Sequence, residues 1–308
     1  MGVYDSSFGE FSGSDVNQIL ERMKEEPLNE LVVSFGRPWE HYMSFVVPRD
    51  LAMGEGKRPA VDLWGLLKGV VRKDPLLLGS ANLMRKMAFE NVERQKQGLD
   101  KKEFSSTQRK RAFMEAYTSS MKVVKYLARF APVYTIYGNV ESSNSETRRI
   151  SKEIKFPLPF LTDDLKEVNG VRVINNRLVD FNGVKIGGLQ YFVDTNWVQD
   201  FKPKEYRRRM RKAKVQTDKA KDVLRRFEEV DVLVHHQPPY GFLDKVGPMA
   251  PKHWQGKHAG SRLILDYIKR KQPRYAFCGH IHEGEGMSKI GRTEVYNLGV
   301  CRYKLITL

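Results

Sequence analysis

A chain of 308 residues with 41% apolar side chains is long enough to bury a full core, and one domain with insertions is the expectation. No stretch approaches the roughly 20 apolar residues that span a bilayer, and the opening Met-Gly-Val-Tyr-Asp lacks the basic and apolar blocks of a secretory signal, so a soluble, cytoplasmic protein without membrane contact is expected. The net charge of +16 is concentrated: residues 202 to 226 hold 12 Lys/Arg against 3 Asp/Glu, and residues 85 to 111 hold 9 against 4, a field that favours a polyanionic partner.

In chain order, Ser14 can cap a helix through about Glu25, with Val16, Ile19, Leu20 and Met23 on one face. Leu31 to Phe35 is a short apolar run ended by Gly36 and reads as a buried strand. From about Pro48 to Ser120 the pattern turns helical and irregular, broken by Pro59 and Pro75, and reads as a mostly helical insertion. Phe113, Tyr117, Met121, Val124 and Ala128 recur at three or four residues, so a helix there lays one apolar stripe on a sheet. Val133 to Tyr137 is a further strand, ended by Gly138 and Asn139.

Residues 171 to 192 alternate and contain Asn182-Gly183, the pair preferred by a tight primed hairpin turn. A basic helix at about 203 to 228 carries a packing seam of Tyr206, Met210, Ala213, Thr217, Ala220, Leu224 and Phe227. Arg207, Arg208, Arg209, Arg211, Lys212 and Lys214 ring its other faces. Val230 to Val234 and Tyr275 to Cys278 are apolar strands that each run into a histidine-bearing loop, an arrangement expected of an α/β sandwich. Thr293 to Asn297 and Tyr303 to Leu308 close the chain as strands, and Cys278 and Cys301 read as small buried hydrophobes.

Three short motifs follow successive strands: Gly138-Asn139, His236-Gln-Pro-Pro-Tyr-Gly, and Gly279-His280-Ile281-His282. In this order they resemble the calcineurin-like metallophosphoesterases, convincingly from about Met121 to Leu308 and more loosely over the first 47 residues. The resemblance implies a single α/β domain over residues 1–308, a four-layer αββα sandwich interrupted by the helical insertion at about 48 to 120. It also implies two divalent metals, commonly Mn, Fe, Zn or Ni, bridged by an aspartate and by the attacking water. Carried over residue by residue, Asn139, His236 and His280 match ligands of the second metal, and His282 matches a ligand of the first.

The departures concern the other half of that site. No Asp-x-His occurs before residue 139, and the family's first motif aligns either to Ser6-Ser7-Phe8-Gly9 or, with one insertion, to Asp5 and Ser7. The bridging aspartate aligns to Arg37, in Gly36-Arg37, with Glu40 nearby. A guanidinium neither loses its proton nor ligates a cation, while two dications about 3.5 to 4 Å apart need an anion between them. The family's Gly-Asn-His, whose histidine protonates the leaving group, reads Gly138-Asn139-Val140 here. These positions imply a degraded dinuclear site, with at most one Zn or Mn ion on Asn139, His236 and His280. Arg37 is then either a bidentate phosphate ligand or a salt-bridge partner of Glu40 or Glu141. Glu283, Glu285, His235, His41 and His258 read as surface or structural residues.

Arginines interleaved with Trp197, Phe201 and Tyr206 suit phosphates and unstacked bases. The expectation is therefore a weak or inactive phosphoesterase-fold protein that binds RNA or a ribonucleoprotein. The alternatives are an active metal-dependent phosphodiesterase or nuclease with a rearranged or mononuclear site, and a scaffold that binds a protein through the 48–120 insertion.

Overall fold

A computed structural model describes strand backbone at residues 30–35 and 43–48 and, apart from 92–93, 95–96, 101, 129–131, 139–143, 204, 248–249, 251 and 300–301, residues 90–306. Ser6, Phe8, Arg37, Glu40, His41, Asn139, Val140, Glu141, the helix expected after Ser14 and most of the 48–120 segment lie outside the described residues.

Two sheets form the body. One has the order β11-β1-β2-β3-β4, from Arg302–Ile306 (β11), Glu30–Phe35 (β1), Met43–Pro48 (β2), Val133–Thr135 (β3) and Val171–Val173 (β4). The other has the order β5-β6-β7-β8-β10-β9, from Arg177–Phe181 (β5), Val184–Leu189 (β6), Val232–His235 (β7), Tyr275–Cys278 (β8), Thr293–Asn297 (β10) and Gly286–Ile290 (β9). Within it β6, β7, β8 and β10 run parallel, so their carboxyl ends lie along one edge.

Strand alternation builds two cores, because successive side chains point to opposite faces. Val232, Val234 and Phe277 face Tyr134, Ile136 and Ile306 between the sheets. Leu233, Ala276 and Cys278 face outward and meet the helices Tyr206–Arg226 (α5) and Arg262–Lys271 (α6) through Val223, Leu224, Ile264, Tyr267 and Ile268. The helix Ser106–Leu127 (α1) packs on Asn144–Ile154 (α2) through Phe113 and Ile154, and the short helices Leu161–Asp164 (α3) and Thr195–Phe201 (α4) complete the set. This is the four-layer α/β arrangement expected from the sequence.

The Asn182-Gly183 turn joins β5 to β6 with both residues at positive φ, 51° and 86°, as a primed turn requires, and the Gly183 N–H donates to Asp180. Residues 171–173 do not extend this hairpin. They leave it to pair in parallel with β3 in the other sheet. On α5, Ala213, Ala220, Leu224 and Phe227 of the expected seam are buried, while Tyr206 at its start is exposed. The six cations from Arg207 to Lys214 are all exposed. No helix among the described residues is long and apolar enough to cross a membrane.

Candidate metal centre

His236 and His280 hang from adjacent strands. His236 is the first residue after β7, and His280 follows β8 by two positions, with Val234 of β7 paired to Phe277 of β8. The loops are tied where they leave the sheet by the Gly279 N–H, which donates to the His236 carbonyl at 2.9 Å. The sheet thereby drives the two imidazoles together: His236 Nε2 and His280 Nδ1 are 3.1 Å apart.

The backbone at His280 is unusual. Its φ is +68°, and the Ile281 N–H donates to the Gly279 carbonyl at 2.8 Å, closing a three-residue turn centred on the histidine. A positive φ at the centre of a γ-turn is the strained form of that turn. A residue bearing a Cβ adopts it where the surroundings over-determine the conformation, a situation concentrated at ligand-binding positions. The strain aims the ring at His236.

Tyr191, past the end of β6, seals the pair from one side. Its ring stands edge-on to His236 at 5.3 Å and tilted to His280 at 5.6 Å. Burial pushes the Tyr191 hydroxyl up to about 12 against the opposing field of Arg209 from α5, so it stays protonated. Burial likewise lowers His280 to about 4, which keeps its imidazole neutral, the form that ligates a metal. The Tyr191 N–H donates to the Tyr137 carbonyl, bringing the loop that leads to Gly138 against the histidine loops.

Around the pair, the loop after β6 is pinned on both sides. The Val193 N–H donates to Gln216 of α5 at 2.9 Å, and Ser261 donates to the Asp194 carboxylate at 2.5 Å. Asp194 also caps α4 at Asn196. Gln237, beside His236, donates to the Phe192 carbonyl at 2.9 Å. His235 is fully buried; its Nδ1–H donates to the Gln237 carbonyl at 2.7 Å, and burial lowers its pKa to about 4, so its ring stays neutral.

Neighbouring ligand atoms around one ion with bonds of about 2.0–2.1 Å stand roughly 3.0–3.4 Å apart. The nitrogen separation of 3.1 Å falls in that range, so the two histidines fit half of a metal site. No group of three His, Cys, Asp or Glu side chains with metal-holding spacing occurs among the described residues. The other residues expected there divide as follows. Asn139 and Arg37 lie outside the described residues, and His282 opens the 3-10 turn His282–Gly284, where only its backbone is described. Glu283 and Glu285 are exposed, and Cys278 is buried with its thiol pushed up by burial.

Sequence reasoning missed Tyr191, Asp194 and the Asp244–His258 pair. His258 Nδ1 lies 2.6 Å from the Asp244 carboxylate, whose other oxygen accepts the Gly241 and Gly260 N–H groups at 2.9 and 3.0 Å. Asp244 therefore pins the neck of the loop between β7 and α6. Asp194, just ahead of an apolar helix start, carried an N-cap signal that would have placed it; the other two carried none.

A family model described as calcineurin-like phosphoesterase matches residues 108–284. Metallophosphoesterase domain-containing protein 1 from Homo sapiens is 44% identical over 75 residues, 24% of this chain and 21% of that protein, and its Mus musculus counterpart matches equally. The chain thus covers about a fifth of the length of these relatives. Among solved structures, TT1561 of Thermus thermophilus is similar at a TM-score of 0.35 and 12% identity, over 71% of this chain and 85% of that one.

Proposed function

This chain belongs to the calcineurin-like phosphoesterase family, and from that premise we propose that it has given up two-metal hydrolysis and binds RNA or a ribonucleoprotein instead. The reading is carried by position 37, an arginine where the resemblance to the family's second motif would put the carboxylate between two metals. A fixed positive charge there opposes a second dication, and Val140 has no proton to give a leaving group.

What the chain keeps is a place for one ion and a surface for phosphates. His236 and His280 would hold the ion, with Asn139 and His282 as further ligands. When bound, it would supply Lewis-acid polarisation of a phosphoryl oxygen. The residues themselves do the rest: Tyr191 packs against both imidazoles, the Asp194–Ser261 bond fixes the loop that carries Tyr191 against the loop before α6, and the exposed cations of α5 attract the anionic strand.

A second reading, a phosphodiesterase or nuclease using a single metal, is favoured by the 3.1 Å spacing and by the strained backbone of His280. One experiment separates the two. The purified chain is incubated with Mn, Ni or Zn and a generic aryl phosphodiester, beside a binding titration with single-stranded RNA. The first reading expects RNA binding without turnover. Turnover that His236→Ala abolishes would overturn it and establish the second; a chain that neither turns over nor binds RNA would overturn both.

A further inference from the structure

Beyond the metal centre, we propose that Tyr240, His258 and Arg262 form a second anion subsite that takes a phosphate group. All three lie on the loop pinned by Asp244 or at its junction with α6. Ala259, Gly260 and Ser261 of the same segment line the small cavity next to His280 and Tyr191. The Tyr240 ring is the platform: the Arg262 guanidinium lies over it, 4.0 Å from the centroid, and the His258 ring lies 5.4 Å away.

The structural demands of the loop do not account for this grouping. Asp244, 1% exposed, already accepts two backbone N–H groups, and a histidine serving only as its partner could be buried with it. Instead the His258 side chain is 34% exposed, and with Nδ1 held by the carboxylate its Nε2 has no partner among the described residues. Arg262 is 55% exposed, and its carboxylate partner among the described residues, Asp200, is 4.0 Å away, too far for a hydrogen bond. Two exposed donor side chains thus meet one aromatic ring, His258 tied to Asp244 through Nδ1 alone and Arg262 only loosely beside Asp200. A phosphate can bridge a planar guanidinium and an imidazole N–H.

The inference rests on the RNA-binding reading only in assigning the phosphate to a strand. The full chain is therefore titrated with inorganic phosphate, followed by phosphorus NMR, and separately with a single-stranded RNA oligomer. Arg262→Ala and His258→Asn are each expected to weaken phosphate binding about tenfold or more, with Arg262→Lys between them and the wild type. Failure of the wild type to bind phosphate, or an Arg262→Ala titration that superimposes on it, overturns the subsite. Phosphate binding that depends on Arg262 in a chain that ignores RNA supports the subsite for free phosphate and sinks the RNA reading instead. Parallel losses for phosphate and RNA support the strand as the source.

Discussion

Removing the charged stripe of α5 should collapse the salt dependence of RNA binding. Arg207, Arg211, Lys214 and Lys221 are spaced by four, three and seven residues, so they share one face, and at 1.5 Å per residue they extend over roughly 21 Å of helix. All four are exposed. Each phosphate neutralised on a single strand contributes about −0.7 to the slope of log affinity against log salt. Four contacts give a slope of about −2.8, an affinity loss of about 50-fold between roughly 50 and 200 mM salt. The triple change Arg207→Gln, Arg211→Gln, Lys214→Gln leaves one contact and a loss of only about threefold. Exposed polar replacements of this kind alter stability by about 0.5 kcal/mol or less, so the fold should survive them. Fluorescence anisotropy with a labelled RNA oligomer at several salt concentrations measures both slopes. A wild-type slope near zero, or a triple variant that keeps the wild-type slope, would refute the assignment of this face.

Three further outcomes are expected. Titration calorimetry with Mn or Zn should report one ion per chain and lose it in His280→Ala; two ions in the wild type would contradict the reading of Arg37. Gly260→Ala would put a Cβ 2.7 Å from the backbone of Pro238 and Pro239, so it should cost about 1–3 kcal/mol in a denaturant melt; an unchanged midpoint would mean that the loop neck yields freely. Burial and the hydrogen bond to Asp164 raise the Tyr117 hydroxyl from 10.0 to about 12. Between those values an unfolded chain releases a proton that the folded one keeps, so stability falls as pH rises from about 10 to about 12, and Tyr117→Phe should remove that part of the decline in urea melts.

The sequence was most informative where one local preference decided the outcome. Asn182-Gly183 predicted its hairpin because few residues accept two successive positive φ angles, and the apolar runs at 230–234 and 275–278 predicted the strands found at 232–235 and 275–278 because both faces are covered. Where partners are distant the signal faded. β9, at the sheet edge, has mostly exposed or half-exposed residues and no apolar alternation to mark it. The pairing of β4 with β3 rather than with the adjacent hairpin is a tertiary choice. In the metal centre, the motifs picked out His236 and His280, but nothing in a histidine's identity foretells φ of +68°. Asp244 and His258, fourteen positions apart in a loop, carry no periodic signal at all.

The short hydrogen-bonded span between β7 and β8 separates proximity from chemistry. Whatever side chains occupy positions 236 and 280 are thrust against each other by two parallel neighbours of the central sheet, before any ion or ligand is considered. Inheritance of that crowding requires only that the strands keep their register.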